Sequence, residues 1–242
     1  MNDISRRDLF LGGAASLLPL AAAQESKKLK VIAAGGHPDD PESAAGGTIA
    51  RFADLGHDAV NLYLTRGEAG IAGKTHEEAA AIRSAEIGKA CAILKARAIF
   101  AGQIDGATEI TPARYDAFRA IVAEEKPDIV LTHWPVDTHR DHRVISLLVY
   151  DAWLRLGRKF ALYYFEVNTG AQTQHFHPTH FVDISSTEVR KKAACYAHES
   201  QNPPAFYDKY HEPMQRARGL EAGFKSAEGF IRHNQSRESF LP

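Results

Sequence analysis

The sequence predicts one α/β domain built on a doubly wound, Rossmann-like and mainly parallel sheet. Short apolar runs alternate along the chain with segments in which apolar residues recur every three or four positions. This alternation of strand and helix produces parallel pairing. The length of 242 residues suits a single domain, and 44% hydrophobic with 24% charged residues is typical of a globular protein. Clusters of histidine and aspartate follow the first and fourth apolar runs, where ligands bind to such sheets.

Six strands are predicted from apolar runs of strand length. The runs are rich in aliphatic and aromatic residues, as the buried strands of a parallel sheet are. They occupy residues 28–34, 59–64, 98–101, 128–133, 161–167 and 181–184.

The first two helices are predicted from apolar spacing and from end signals. Ile49 and Phe52 begin an apolar stripe with helical spacing, and Gly56 ends that helix. Thr75 and Glu78, three residues apart, form a capping box that starts the second helix.

The later helices are predicted in the same way. Pro112 stands at the first position of a third helix, and a fourth helix follows the fourth strand and stops at Gly157. Ser185 with Glu188 predicts the cap of a fifth helix, which extends to about Ser200. The rest of the chain is predicted as loop and one terminal helix.

The N-terminal segment predicts export. Arg6 and Arg7 precede a short apolar run, residues 11–22, which ends in an alanine cleavage site before Gln24. The arginine pair resembles a twin-arginine export signal, so residues 1–23 are predicted as a signal peptide and residues 24–242 as the mature domain. A short membrane anchor is the alternative, but the run is too short to span a ~30 Å hydrocarbon core comfortably. The predicted location is periplasmic or extracytoplasmic, in a bacterium.

Composition excludes several classes of protein. Lys and Arg total 29 against 30 Asp and Glu, so there is no basic excess with which to bind nucleic acid as a main role. The two cysteines exclude a disulfide framework and a four-cysteine zinc site. Cys91 and Cys195 both fall on predicted helices, which favours buried free thiols, although an oxidising compartment would permit a bridge between them.

The loop after the first strand carries the first chemical motif, His37-Pro38-Asp39-Asp40. A dinucleotide fingerprint would need glycines at two of these positions, so this loop is of another kind. Proline restricts the backbone, and a tight turn can direct His37 and Asp40, three residues apart, to one point.

The loop after the fourth strand carries the second motif, His139-x-Asp141-His142. The two histidines are three residues apart at the start of a predicted helix, and His133 precedes them at the strand end. Two histidines and one carboxylate with an open fourth position form the catalytic zinc pattern, in which the bound water has a pKa near ~7. His133 is predicted as a strand-end neighbour of the site rather than a metal ligand.

Together the two motifs resemble the PIG-L/LmbE family of zinc-dependent N-deacetylases. Residues 63–70 are similar to the family's second conserved loop, and residues 200–201 to a later signature. The resemblance extends from about residue 29 to residue 201, and it implies a PIG-L/LmbE-like domain.

The resemblance implies a role for each motif residue. The implied zinc ligands are His37, Asp40 and His142. The implied catalytic residues are Asp39 as general base, His139 as a cationic donor that polarises the carbonyl, and Asp141 as the partner that orients His139. Many members place Glu directly after the two aspartates, whereas this chain has Pro41 and then Glu42, to which no role is assigned.

The predicted function is removal of an acyl group, with acetyl as the preferred one, from a small-molecule N-acylated amino sugar. Arg66 and Trp134 are candidate substrate-binding residues, with a loop-bracing ion pair between Arg66 and Glu68 as the alternative. Zn²⁺ is the expected cofactor, although such a donor set also suits other divalent metals.

Three questions stay open on the residues alone. A non-catalytic carbohydrate-binding module would also need metal ligands, but it would not need Asp39 and His139. An amidase of non-sugar conjugates would use the same catalytic residues. A homo-oligomer is also left open.

Overall fold

The computed structural model describes residues 27–242, so the predicted signal peptide of residues 1–23 lies outside the described residues. Within this part the strands are β1 Lys30–Gly35, β2 Asp58–Tyr63, β3 Arg97–Phe100, β4 Ile129–His133, β5 Ala161–Phe165, β6 His180–Asp183 and β7 Ala227–Arg232. The α-helices are α1 Asp40–Asp54, α2 His76–Leu94, α3 Pro112–Glu125, α4 Arg140–Arg155, α5 Glu188–Tyr196 and α6 Glu212–Ala222. A 3₁₀ turn, Glu199–Gln201, and a π-helical segment, Pro204–His211, lie between α5 and α6.

The sheet confirms the predicted doubly wound α/β architecture. Its strand order is β3-β2-β1-β4-β5-β7-β6, and β1 to β5 pair in parallel. The order reverses at β1, which pairs with β2 on one side and β4 on the other. Ala34 near the end of β1 lies opposite Thr132 near the end of β4. The loops that follow these two strands therefore leave the sheet side by side, as the positions of the two motifs require.

Alternate residues of β1 face two separate hydrophobic cores. Val31 and Ala33 pack in the core that includes the apolar face of α1. Ile32 and Ala34 pack in the core that includes the apolar face of α4. Because both faces are covered by helices, β1 reads as a continuous apolar run, and this is why the sequence predicts it well.

The C-terminal region departs from the sequence prediction. Residues predicted as loop include β7, which pairs antiparallel with β5 and with β6 and lies between them in the sheet. The strand is hard to predict because its sequence, Ala-Glu-Gly-Phe-Ile-Arg, has few large apolar residues and includes the buried Glu228.

The capping signals have mixed outcomes. The capping box at Thr75 and Glu78 is confirmed, because each side chain accepts a hydrogen bond from the backbone N–H of the other residue. The predicted cap at Ser185 is wrong. Helix α5 begins after Thr187 and ends at Tyr196, and the Ser185 hydroxyl donates to Asp183 instead.

Both cysteines are buried free thiols, as the sequence predicts. Cys91 is 5% exposed and Cys195 is fully buried. In the part of the chain from residue 27 onward, no helix combines the length and the apolar character that crossing a membrane would require.

A buried ion pair holds the C-terminal strand in place. The Lys191 ammonium on α5 lies 2.7 Å from a carboxylate oxygen of Glu228 on β7, and both side chains are almost fully buried. The same carboxylate accepts the backbone N–H groups of Gly47 and Thr48 in α1, at 2.9 and 2.8 Å. Glu228 therefore joins three elements that are distant in sequence.

Replacing Glu228 by alanine is expected to destabilise the fold by about 3–5 kcal/mol, because it leaves the Lys191 charge buried without a partner. Urea unfolding of the chain from residue 24 onward measures this free energy. The control is Glu199→Ala, which removes an exposed pair with Lys89 and should have little effect. Equal losses in the two variants would contradict the role of the buried pair.

Candidate active site

The two motifs meet in a cavity of about 450 Å³ at the carboxyl edge of the sheet. Its lining includes five of the residues that the sequence singled out, namely His37, Asp39, Asp40, His139 and His142. A cavity of this size falls within the ~300–1,000 Å³ typical of small-molecule sites.

Two glycines at the end of β1 allow this approach. A Cβ atom on Gly35 would lie 2.6 Å from the Pro41 ring, and one on Gly36 would lie 3.0 Å from the His142 ring. A larger residue at position 35 would therefore displace the start of α1, and one at position 36 would push the first motif away from α4. Without side chains there, the backbone N–H of His37 can donate to the Asp40 carboxylate at 2.7 Å, which closes the turn into α1.

Asp40 is the centre of the site. Its Oδ2 atom lies 3.2 Å from Nδ1 of His37, 3.3 Å from Nε2 of His142 and 3.3 Å from Nε2 of His133. Burial alone would raise the pKa of Asp40, but the neighbouring His142 and His133 outweigh burial and hold it well below its usual range. The carboxylate is therefore ionised and surrounded by imidazole nitrogens.

His142 is held between two carboxylates. Its Nδ1 lies 3.2 Å from Asp137, on the side of the ring opposite Asp40. Burial lowers the pKa of His142, but the charge of Asp40 and the contact with Asp137 overcome it and raise the pKa to about 9. A carboxylate that contacts the second ring nitrogen of a histidine fixes the ring orientation, as in many metal sites. This role of Asp137 was not predicted from the sequence.

His37 contacts three carboxylates. Its Nδ1 faces Asp40, while its Nε2 lies 3.2 Å from both Asp105 and Asp141. Burial lowers the pKa of His37, but these carboxylates outweigh it and raise the pKa well above its usual value. Reasoning from the motifs missed Asp105, although it lies in the loop after β3, at the same edge of the sheet.

The arrangement suits a divalent metal ion. Ligand atoms of three overlapping trios lie within 4.8 Å of one another: His37, His139 and His142; Asp40, His133 and His142; and His37, Asp105 and Asp141. Imidazole and carboxylate donors suit Zn²⁺ and several related metals. His37 and His142 are protonated beside the ionised Asp40, and a cation could replace those protons.

His133 lies closer to this centre than the sequence suggested. It is fully buried, and its ring stacks on that of His142 with 4.0 Å between centroids. Its Nε2 accepts the backbone N–H of Gly36 at 3.1 Å. Burial and the charge of His142 lower the pKa of His133 to about 4, so it is neutral.

His139 forms the N-cap of α4. Its Nδ1 accepts the backbone N–H of Asp141 at 3.3 Å, so in this geometry Nε2 carries the hydrogen. Burial, together with the charges of His37 and His142, lowers the pKa of His139. It is therefore a neutral hydrogen-bond donor at the cavity, which differs from the expected cationic donor.

The Asp141 carboxylate does not contact His139 in the way that the sequence implied. It accepts hydrogen bonds from Thr108 Oγ1 at 2.5 Å and from the backbone N–H of Gly106 at 2.9 Å, and it faces His37. The link between Asp141 and His139 runs through the backbone instead.

Asp39 is held in a strained backbone conformation with φ of 99°. Such a conformation persists only where its surroundings maintain it. Arg83, only 3% exposed, donates to the Pro38 carbonyl and to Asp39 Oδ2, the latter at 3.0 Å. Burial raises the pKa of Asp39 to about 6, and the Arg83 charge opposes that rise. A carboxylate with such a pKa suits a general base near neutral pH.

Glu42, to which no role is assigned from the sequence, holds the backbone of Asp39 in place. It is fully buried and accepts the backbone N–H of Asp39 at 3.2 Å. It also accepts hydrogen bonds from Tyr63 and from Asn61, the latter at 3.1 Å, and Nε2 of His198 lies 3.7 Å away. Burial lowers the pKa of His198, but the Glu42 carboxylate outweighs burial and raises it.

The two candidate substrate-binding residues do not lie beside the other predicted site residues. Arg66 is 53% exposed in its side chain and pairs with Glu68 at 3.2 Å, the alternative considered from the sequence. Trp134 packs edge-on against Tyr164 and Phe176. Neither Arg66 nor Trp134 lines the cavity, so their contact with substrate stays a prediction that the geometry does not support.

Comparison with known proteins points to one family. Residues 31–153 match the PIG-L family, described as GlcNAc-PI de-N-acetylase. A diacetylchitobiose deacetylase of Thermococcus kodakarensis is 33% identical over 220 residues, which cover 83% of this chain and 81% of the relative.

Solved structures show the same fold. The conserved protein TT1542 of Thermus thermophilus superimposes with a TM-score of 0.75 at 27% identity, covering 87% of this chain and 97% of that one. The N,N'-diacetylchitobiose deacetylase of Pyrococcus horikoshii superimposes with a TM-score of 0.71 at 24% identity, covering 84% and 83%.

Metal binding is expected to release protons, because the raised pKa values of His37 and His142 leave both protonated in the metal-free chain. The affinity for Zn²⁺ should therefore rise as the pH is raised from 6 towards 9. Calorimetric titration of the metal-free chain in buffers of different ionisation enthalpy measures both effects. Binding that does not vary with pH and releases no protons would contradict this protonation pattern.

Asp137→Asn is expected to weaken Zn²⁺ binding by ~10–100-fold, because it removes the carboxylate that orients His142. The same titration measures the loss. His177→Ala, a change at an exposed histidine outside the cavity, serves as the control. Unchanged affinity in Asp137→Asn would show that His142 does not depend on this partner.

Proposed function

This chain belongs to the PIG-L family of de-N-acetylases, and we propose that it removes the acetyl group from an N-acetylated amino sugar outside the cytoplasm. The observation that supports this most is the pair of adjacent aspartates in one cavity. Asp40 is ionised among imidazoles, whereas the pKa of Asp39 is raised to about 6. Environments that separate the pKa values of two neighbouring carboxyl groups give them different chemical roles.

His37, Asp40 and His142 are the residues that would hold the metal, which we take to be Zn²⁺. His133 is neutral and close enough to Asp40 and His142 to join this set. When bound, such an ion supplies Lewis-acid activation of water and of the amide carbonyl.

Asp39 is the general base in this proposal. Its carboxylate takes a proton from the attacking water as the new C–O bond forms at the acetyl carbon. Arg83 and Glu42 contribute by holding the side chain and the backbone of Asp39 in place. Positioning matters here because a base must lie within hydrogen-bond reach of the proton that it removes.

His139 stabilises the tetrahedral intermediate through its Nε2–H. A neutral donor placed where negative charge develops is worth ~3 kcal/mol in comparable enzymes. As the C–N bond breaks, Asp39 delivers to the leaving nitrogen the proton that it took from the water. The acid proton of the acetic acid then passes to the amine, so the products are acetate and an ammonium group, and atoms and charge balance.

An amino sugar is proposed as substrate on the strength of the relatives. The Thermococcus relative, at 33% identity, is named for a sugar that carries two N-acetyl groups. The cavity is lined mostly by polar side chains, which suits a hydroxyl-rich ligand. The two alternatives, a non-catalytic sugar-binding module and an amidase of other conjugates, differ from this proposal in turnover and in substrate range.

Asp39→Asn is expected to lower kcat by ~10²–10⁴-fold while the variant still binds one metal ion, because only the base is removed. Amine release and metal content, measured on the same preparation, test this. Asp116→Asn, which alters an exposed aspartate on α3, is the matched control. Full turnover in metal-loaded Asp39→Asn would remove Asp39 from the mechanism.

Export is the other part of the proposal, and it is supported by the paired arginines before the apolar run of residues 11–22. Replacing Arg6 and Arg7 together by lysine should retain the unprocessed chain in the cytoplasm. Cell fractionation of the two forms measures this. Normal export of the double variant would exclude twin-arginine recognition.

A further inference from the structure

One wall of the cavity has no part in the proposed chemistry. It is formed by residues that follow β5, including Asn168 and Gln172, and by Phe206 and His211 of the π-helical segment. Among the cavity-lining residues Phe206 has the only carbocyclic aromatic ring, and it stands among polar neighbours. Its side chain is only partly buried. An apolar ring left at the surface of a polar cavity suits a ligand with one apolar face.

The π-helical segment fixes the direction of this ring. The next residue, Tyr207, is fully buried and donates its hydroxyl to Gln215 at 3.2 Å. His211 at the end of the segment is 1% exposed, and its Nε2 accepts the backbone N–H of Asn168 at 3.4 Å. Because Tyr207 and His211 are anchored inside, Phe206 is directed into the cavity. Short π-helical stretches are often found at functional sites.

The neighbouring amides supply polar contacts. Asn168 Nδ2 donates to Gln172 Oε1 at 2.9 Å, which joins the two amides into one group. Asn168 Oδ1 is buried and has no hydrogen-bond partner among residues 27–242. Asn168 also has a φ of 40°, a strained value that its surroundings must maintain. Because Oδ1 of Asn168 is enclosed, the amide of Gln172 is the group that a ligand in the cavity can reach.

The combined chemistry indicates the class of ligand. A pyranose ring has a face of weakly positive C–H groups that can lie on the negative face of an aromatic ring. Its edge carries hydroxyl groups that can donate to an amide oxygen. The guanidinium in the cavity, that of Arg83, is already paired with Asp39, so this wall offers no free cation to an anionic group.

We propose that Phe206, Asn168 and Gln172 form a subsite that binds the pyranose ring of the substrate, with the ring stacked on Phe206 and a hydroxyl hydrogen-bonded to the amide of Gln172, which Asn168 holds in place. This rests on the proposed function, since it assigns the sugar specificity of the same cavity. It replaces Trp134, which packs against Tyr164 and Phe176 and lies outside the cavity lining, as the aromatic platform.

The test compares a ring substrate with an acyclic one. The metal-loaded mature protein and its Phe206→Ala variant are assayed with N-acetylglucosamine and with N-acetylethanolamine. Loss of stacking should lower kcat/KM for the sugar by about tenfold, which corresponds to ~1.4 kcal/mol, near the top of the range for an aromatic contact, and should leave the acyclic amide within about twofold. Phe206→Tyr keeps the ring face and should retain the sugar activity.

Two controls separate specificity from damage to the fold. Phe224→Ala removes a phenylalanine that is 40% exposed and lies outside the cavity lining, and it should change neither substrate. Metal content and circular dichroism of each variant establish that the site and fold are intact. Equal losses on both substrates, or no loss on either, would overturn the subsite.

Failure of the proposed function gives a different result. If the wild type releases no amine from either compound, binding of N-acetylglucosamine is measured by calorimetry on the wild type and on Phe206→Ala. Binding that weakens in the variant would support the subsite while the deacetylase proposal fails. No binding of the sugar to the wild type would overturn both.

Discussion

The site depends on one buried carboxylate placed at the point where the strand order of the sheet reverses. Asp40 begins α1 after the short loop that follows β1, and the neighbouring strand β4 and its following helix α4 bring His133 and His142 to the same position. An ionised carboxylate cannot be buried unless positive or hydrogen-donating groups compensate it. The imidazoles of His37 and His142, both with raised pKa values, provide that compensation, and a metal ion could provide it more strongly.

The rest of the site gives Asp39 different contacts from those of Asp40. Successive residues at the start of a helix point in different directions, so Asp40 turns to the imidazoles while Asp39 turns to Arg83. The strained backbone at Asp39 is maintained by Glu42, which is in turn held by Asn61 and Tyr63 of β2. The proposed base and the proposed metal ligand are thus adjacent in sequence but held by separate sets of contacts.

Much of this could be predicted from the sequence because the signals are local. The apolar runs predict strands β1 and β4. The three-residue spacing of His139 and His142 predicts that both lie at the start of one helix. Other features depend on distant partners and give no local signal. Asp105 contacts His37 because the strand order brings the loop after β3 to the same edge of the sheet. Asp137 contacts His142 because the His142 ring is oriented towards it. From the sequence, Glu228 in β7 would be predicted at the surface, because its buried partner Lys191 is distant along the chain.

Metal-dependent deacetylation is tested most directly on the purified chain of residues 24–242. Bound metal is determined, and amine release from a panel of N-acetylated sugars is then assayed with and without a chelator. We expect one metal ion per chain and release that the chelator abolishes and Zn²⁺ restores. Absence of stoichiometric metal, or release that persists without metal, would contradict the central role of the cluster around Asp40.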